Sequence, residues 1–167
     1  AGPIASRALA EHGADVMTVS SPNLPTIVPF VMETNHGKLS TYLDLDNSAD
    51  SQQLHQLILQ SDVFIHGYRT GSLERRGLSP DELAMLRPGL IYVSINCYGS
   101  VGPWQSRRGW EQLGQTVTGL AVAQGEPNPP QIMPAQVCDY TTGYLAALGI
   151  LIALARRVRE GGTYHVR

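Results

Sequence analysis

Short strand patterns alternate with helical patterns along most of the chain, and this alternation restricts the possible folds more than any other feature. The strand patterns are Asp15 to Ser20, Leu39 to Leu45, Val63 to Ile65, Leu90 to Ile95 and Thr163 to Val166. Strands that are separated by helices need crossover connections, which give a mostly parallel sheet with helices on its faces. The sequence therefore predicts the α/β fold class.

Local signals predict where the intervening helices begin and end. Ser79-Pro80-Asp81-Glu82 places a capping serine, a first-turn proline and two acids in the order that starts a helix. That helix is expected to run to about Leu86. The other predicted helices are Ile4 to Leu9, closed by His12-Gly13; one that starts at Asn47-Ser48; one around Trp110 to Gly119; and one from about Tyr140 to Val158, closed by Glu160-Gly161-Gly162. The predicted loops are Ser21 to Pro29, Cys97 to Gly109 and the Pro-rich run Pro127 to Pro134.

Length and charge limit the possible functions. A chain of 167 residues is long enough for one domain with a real core and too short for two well-built ones. The net charge is −2, and the arginine pairs Arg75-Arg76 and Arg107-Arg108 are isolated from each other. Because nucleic-acid binding needs a continuous basic surface, we expect no nucleic-acid partner.

Cysteines, histidines and apolar stretches argue against a metal site and against a membrane. Cys97 and Cys138 are the only cysteines, and neither they nor the five histidines have the spacing of metal ligands. The longest apolar stretch, Tyr144 to Ala155, is shorter than the roughly 20 residues that cross a bilayer. No signal segment opens the chain. We therefore expect no metal, no membrane partner, a reducing compartment and a cytoplasmic location.

Asp139 is the residue that most directly suggests chemistry. It is a lone carboxylate where the loop after Pro127 to Pro134 meets the apolar stretch Tyr144 to Ala155. The start of a buried helix offers free N–H groups and the positive end of the helix dipole, which keep a carboxylate ionised. Such a group can attack an activated acyl carbon and carry the acyl group covalently. It can equally be a helix N-cap, for which aspartate is a preferred residue.

Several short motifs occur in a characteristic order. They are Ala1-Gly2-Pro3; Gly13-Ala14-Asp15-Val16; Asn35-His36-Gly37-Lys38 before Leu43-Asp44-Leu45; Asp62-Val63 before Gly67-Tyr68-Arg69-Thr70-Gly71-Ser72-Leu73-Glu74-Arg75; Tyr92-Val93-Ser94 before Tyr98-Gly99; Gly102-Pro103; and Asp139 followed by Gly143. This order resembles the class III CoA-transferases, the family that includes formyl-CoA and carnitine CoA-transferases and the α-methylacyl-CoA racemases. The resemblance covers nearly the whole chain. It implies a Rossmann-like open, mostly parallel sheet with helices on both faces.

The resemblance also implies a reaction. The protein would transfer coenzyme A between an acyl-CoA donor and a carboxylic acid acceptor, and Asp139 would be the nucleophile that forms an anhydride and then an aspartyl-CoA thioester. Gly67, Tyr68 and Gly71 would form a turn that approaches coenzyme A closely, because glycines let a backbone come near a ligand.

Other contacts to coenzyme A are implied at three positions. Arg75 matches an arginine that contacts the nucleotide part, although it can equally be a solvated surface residue. Lys38 matches a basic position and is a weaker phosphate candidate. Tyr98-Gly99 would line the pantetheine channel, although a tyrosine that serves only in packing is nearly as good an interpretation.

The sequence departs from the family pattern in several places. Racemase members have a histidine where this chain reads Gly109-Trp110-Glu111, so a racemase or epimerase becomes the less favoured alternative. We expect Glu111 to be exposed rather than to replace that histidine. Ser20-Ser21 and Asp46 stand where other members often have basic residues, and Thr70 replaces a common proline, which puts the contacts at the adenine end in doubt.

Length is the largest departure. Full members are about twice as long or longer, so residues 1–167 are expected to be a partial large domain that lacks the first strand, the small domain and a glycine-rich loop. The resemblance further implies an intertwined homodimer in the full-length protein. A non-catalytic acyl-CoA-binding fragment or subunit is a third hypothesis.

Overall fold

The computed structural model describes residues 1–125 and 129–167. In these ranges the helices are α1 (Gly2–Glu11), α2 (Val28–Thr34), α3 (Ser48–Leu59), α4 (Pro80–Leu86), α5 (Glu111–Val117), α6 (Leu120–Gly125) and α7 (Val137–Glu160), with one 3-10 turn at Glu74–Arg76. The strands are β1 (Met17–Ser20), β2 (Leu39–Tyr42), β3 (Val63–His66), β4 (Ile91–Ser94) and β5 (Tyr164–Val166).

Every strand pairing in the described ranges is parallel. β1 pairs with β2 so that Met17 lies opposite Leu39, and β4 lies between β3 and β5. The strands thus form one sheet of two and one of three. The predicted parallel α/β architecture is confirmed, and the expected missing first strand stays a prediction.

The core lies on both faces of the three-stranded sheet because successive side chains of a strand point to opposite faces. Tyr92 of β4 packs with Leu54 and Ile58 of α3 and with Leu83 of α4. Its neighbours Ile91 and Val93 pack on the other face; the partners there are Ala5 of α1 and Ala146, Ile150 and Ala153 of α7. Helices therefore cover both faces, as predicted.

The helix starts that the sequence marks most clearly are confirmed. The Asn47 side chain accepts a hydrogen bond from the Ala49 N–H at 2.9 Å and caps α3. Ser79 and Glu82 form a reciprocal capping box at the start of α4, with distances of 3.2 and 2.9 Å. Both signals consist of residues close together in the sequence, so the local pattern contains all the information.

Three helical features were not predicted. α2 begins inside the predicted loop Ser21 to Pro29, α6 follows α5 directly, and α7 begins at Val137 rather than near Tyr140. α2 has no buried residue, so no buried apolar face was available to signal a helix. It is held instead by Glu33, which accepts hydrogen bonds from Arg7 and from the Tyr140 hydroxyl. Within the predicted Pro-rich loop, residues 127 and 128 lie outside the described residues.

Helix α7 is the central helix of one face. Its 24 residues are long and apolar enough to cross a membrane by length and composition alone, which the shorter predicted stretch did not indicate. One side of α7 packs on α1 and the sheet. The other side exposes the apolar residues Tyr144, Leu145, Leu148, Leu151 and Ile152.

Candidate active site

Asp139 lies inside the first turn of α7 rather than in the loop before it. Gln136 occupies the N-cap position, so the interpretation of Asp139 as the N-cap is wrong. The Asp139 side chain is 36% exposed, and its Oδ1 lies 2.8 Å from the Ala1 backbone nitrogen. The carboxylate therefore lies against the start of α1 and is still reachable from solvent.

Glu111 supplies the acceptors that the start of α7 needs. Its Oε2 accepts from the Asp139 N–H at 2.7 Å, and its Oε1 accepts from the Cys138 N–H at 3.1 Å. Glu111 is only 5% exposed, so the expectation that it is exposed is wrong. Local sequence offered no signal for this role, because the two N–H groups that Glu111 accepts from at the start of α7 lie 27 and 28 residues away.

The environment of Glu111 keeps it anionic. Burial alone would raise the pKa of its carboxyl group, but hydrogen bonds from the Gln115 side chain and from the Asp139 and Cys138 N–H groups outweigh it and lower the pKa. An anion at the N-terminus of a helix also interacts favourably with the helix dipole. Because Glu111 performs the capping, the Asp139 carboxylate remains available for other contacts.

Gln115 extends this network into the segment before α7. It is fully buried, donates to Glu111 at 2.6 Å and to the Ala135 carbonyl at 3.2 Å, and accepts from the Met133 N–H at 2.8 Å. Buried amides need such partners. The segment that leads to Asp139 is therefore held by two side chains of α5. The sequence analysis expected Glu111 to be exposed and did not identify Gln115.

Gly143 lets α1 approach α7 closely. A Cβ atom at this glycine would lie 2.6 Å from the Ile4 Cβ, closer than real Cβ contacts, and 3.0 Å from the Ala1 carbonyl oxygen, which is tighter than most. The absence of a side chain thus brings the start of α1 against the first turn of α7. This packing places Ala1 beside Asp139.

The turn after β3 meets the same end of α1. A Cβ atom at Gly2 would lie 4.0 Å from the Gly67 backbone nitrogen. Ala1 contacts Asp139, and Gly2 lies near the backbone that begins the turn. The predicted nucleophile and the turn predicted to bind coenzyme A therefore both lie near Ala1 and Gly2.

Arg75 folds back over this turn. Its Nη1 atom lies 3.4 Å from the place where a Cβ of Gly71 would be, and Gly71 has a φ of 84°, which favours glycine. Within residues 1–125 and 129–167, Arg75 forms no ion pair, whereas Arg76 pairs with Asp46 at 2.6 Å. The Arg75 residue is exposed, while Asp46 is engaged by the neighbouring arginine, and phosphate binding by Arg75 stays a prediction.

Lys38 faces α1. Its ammonium donates to the Pro3 carbonyl at 2.9 Å and to the Ser6 hydroxyl at 2.7 Å. Burial, and then the nearby positive charge of Arg7, lowers the pKa of Lys38 to about 8. Contact between Lys38 and a phosphate would have to replace these hydrogen bonds, and that role stays a prediction.

Tyr98 and Gly99 follow β4. Because β3 and β4 are parallel neighbours, this loop and the turn at Gly67 leave the same edge of the sheet, where open α/β sheets bind ligands. The Tyr98 ring packs edge to face on Trp104 at 5.5 Å, and Gly99 has a φ of 80°. Contact between Tyr98 and pantetheine stays a prediction.

A cavity of about 400 Å³ opens beside Asp139. Apolar side chains form much of its wall: Pro3, Ile4, Ile27, Phe30 and Trp110. Glu33, Glu111 and Asp139 add three carboxylates. Among the described residues, no group of three or more His, Cys, Asp and Glu side chains lies close enough together to hold a metal ion.

Comparison with known proteins assigns the family. The model of CoA-transferase family III matches residues 1–167, the whole chain. This chain belongs to CoA-transferase family III. An acetyl-coenzyme A transferase, nodX, from Hypoxylon pulicicidum is 39% identical over 176 residues; the match covers 99% of this chain and 29% of that protein.

Solved structures of family members share the fold. A CAIB/BAIF family protein from Brucella suis has a TM-score of 0.91 at 29% identity, and Rv3272 from Mycobacterium tuberculosis has 0.90 at 34% identity. Each match covers 99% of this chain and 48% of the other chain. The chain thus spans less than half the length of these family members, and the resemblance found in the sequence is confirmed.

Proposed function

We propose that the full-length protein transfers coenzyme A from an acyl-CoA to a carboxylic acid through covalent intermediates on Asp139. The observation that carries this proposal is the separation of roles at the start of α7. Glu111 accepts hydrogen bonds from the free N–H groups of the first turn, and the Asp139 carboxylate lines the cavity without making those bonds. A carboxylate needed only for capping would make those hydrogen bonds itself.

The proposed reaction has four steps. Asp139 attacks the thioester carbonyl, which forms a mixed anhydride and releases the CoA thiolate. The thiolate attacks the Asp139 carbonyl carbon, releases the donor acid and leaves an aspartyl-CoA thioester. The acceptor carboxylate attacks that thioester and forms a second anhydride and the thiolate. The thiolate then attacks the acceptor carbonyl, which gives the product thioester and restores Asp139.

Coenzyme A would bind along the turn after β3. Gly67, Tyr68 and Gly71 would let the backbone approach the ligand, and Arg75 would bind a phosphate through its fork of N–H donors. This placement is supported by the start of α1, where Gly2 lies near the Gly67 backbone and Ala1 contacts Asp139.

The acyl group would occupy the cavity beside Asp139. The wall at Ile27, Phe30 and Trp110 favours an apolar acyl chain. Arg7 pairs with Glu33, but the Glu111 carboxylate also faces the cavity, and none of the described residues that line it has a cationic side chain. This wall disfavours an acyl group with a second negative charge. We therefore propose an uncharged acyl donor.

A racemase is less well supported. Glu111 does face the cavity, but its oxygens accept hydrogen bonds from two N–H groups and from Gln115, and its pKa is lowered. A group held as an anionic acceptor is a poor proton donor, and racemisation needs an acid as well as a base.

Trapping tests the proposal. The full-length protein is incubated with butyryl-CoA and hydroxylamine, with succinyl-CoA as the charged comparison, and Asp139 is examined by mass spectrometry. We expect a hydroxamate at Asp139 with butyryl-CoA and much less with succinyl-CoA. A protein that retains acyl-CoA and stays unmodified is a binding module. Exchange of the α-proton in deuterated water without an acceptor acid would instead support a racemase.

A further inference from the structure

We propose that His66 is a positioning residue that holds the loop between β3 and Leu78 in the shape in which it binds coenzyme A. This inference depends on the proposed function, since the loop carries Gly67, Tyr68, Gly71 and Arg75. His66 is the last residue of β3 and is only 8% exposed. Its ring lies under the loop and not in the cavity beside Asp139.

The hydrogen bonds around His66 define its protonation state. The Tyr68 N–H donates to His66 Nδ1 at 3.2 Å, so Nδ1 carries no proton. The Tyr92 hydroxyl donates to the Leu78 carbonyl at 3.0 Å, which leaves its oxygen to accept from His66 Nε2–H at 3.0 Å. Each donor then has one acceptor, which assigns the neutral ring with its proton on Nε2.

These bonds join the two ends of the loop. Tyr68 is the second residue after β3, and Leu78 follows the 3-10 turn Glu74–Arg76 that carries Arg75. A continuous chain runs from the Tyr68 N–H through His66 and Tyr92 to the Leu78 carbonyl. The rings add packing, because His66 stacks on Tyr68 at 6.5 Å and meets the Tyr92 ring edge-on at 5.3 Å. A shift of His66 would therefore move both the start and the end of the loop.

The surroundings keep His66 neutral. Burial lowers the pKa of His66 to about 4, with Glu74 opposing this shift and His165 adding to it. Tyr92, which contacts His66 directly, has a pKa raised to about 12 by burial and then by Glu74, and is also uncharged near neutral pH. Nδ1 thus stays an acceptor for the Tyr68 N–H under ordinary conditions.

Two substitutions test the hydrogen bonds of His66 Nδ1 and Nε2 separately. In His66→Asn, the side-chain oxygen can accept from the N–H two residues later, as in an Asx turn, but it is too short to reach Tyr92. In His66→Gln, the amide can donate to Tyr92 but does not present an acceptor to the Tyr68 N–H. If His66 positions the turn, His66→Gln raises the Kd for coenzyme A about five- to tenfold and His66→Asn changes it less than about threefold, because a lost hydrogen bond has that effect.

Hydrogen exchange gives a readout that does not depend on coenzyme A. The Tyr68 amide of the free full-length protein should exchange slowly in the wild type and in His66→Asn, and about tenfold faster in His66→Gln. Equal exchange in both variants would overturn the positioning role even if transfer through Asp139 is proven. Conversely, if exchange follows the expected pattern but the protein does not bind coenzyme A, the hydrogen-bond assignment is supported and the proposed function is wrong.

Tyr92→Phe is the third variant, and it tests the proposal even if the His66 variants do not fold. It keeps the buried ring but removes the hydroxyl between His66 and Leu78. We expect weaker coenzyme A binding by about two- to fivefold with an unchanged Tyr68 amide, because the Nδ1 bond remains. If the affinity of this variant equals that of the wild type, the proposed link to Leu78 is wrong.

Discussion

The first turn of α7 and the turn after β3 both adjoin Ala1 and Gly2, but different kinds of contact hold them. The first turn of α7 depends on Glu111, which lies 28 residues before Asp139. The turn after β3 depends on His66, which immediately precedes it and binds the Tyr68 N–H two residues away. One half of the proposed site is thus assembled by tertiary packing and the other is largely built from neighbouring residues. Substitutions should disturb the two halves separately.

Removal of the Asp139 carboxylate is expected to have the largest effect on turnover and to leave the turn after β3 intact. Asp139→Ala should abolish transfer, and the closely isosteric Asp139→Asn should lower kcat by at least about 10³-fold, because an amide is not a nucleophile toward a thioester. Coenzyme A binding should be largely unchanged. The measurements are turnover with an acyl-CoA and an acceptor acid, and calorimetric titration with coenzyme A. If either variant fails to fold, the carboxylate has a structural role instead.

Arg75→Ala should affect the turn after β3 and leave the first turn of α7 unchanged. Loss of a charge-assisted contact to a phosphate should weaken coenzyme A binding by about 1.5 to 3 kcal/mol, or roughly 10- to 150-fold, with trapping at Asp139 still detectable at saturating donor. Arg76→Ala is the matched control, since Arg76 is the next residue and pairs with Asp46. We expect the control to change the Kd by less than about twofold. Equal effects of the two substitutions would remove Arg75 from the site.

The same contrast explains how much could be predicted from the sequence. The starts of α3 and α4 were predicted because Asn47, Ser79 and Glu82 bind groups within three residues of themselves. The true start of α7 and the burial of Glu111 were not, because the contacts that cause them join residues far apart in the chain. Asp139 was singled out by its place before the apolar stretch, and a resemblance to a family added its role as nucleophile. That Glu111, and not Asp139, caps the start of α7 follows only from the packing of α5 against α7.

Gly143→Ala tests the packing on which the Asp139 half depends. A new Cβ would lie 2.6 Å from the Ile4 Cβ, so α1 would have to move away from α7. We expect a loss of about 1 to 3 kcal/mol in the free energy of unfolding and a lower kcat. Gly114→Ala in α5 is the control, because its Cβ would meet only ordinary contacts, the nearest at 3.6 Å from the Cys138 sulfur. A Gly143→Ala protein as stable as the wild type would mean that the two helices do not pack this closely.

The pH dependence of stability is the smallest effect and concerns the His66 half. The pKa of His66 is about 4 in the folded protein, against about 6.5 for an unperturbed histidine, so near pH 5.5 the unfolded chain binds a proton that the folded chain does not. Stability from this group therefore falls as the pH falls below 6.5, by about 1 kcal/mol between pH 7 and 5.5. His66→Asn should lack this component, since asparagine does not titrate there, while every other group contributes in both proteins. Denaturant unfolding of both proteins at the two pH values measures the difference, and parallel pH profiles would show that the folded protein does not hold His66 neutral.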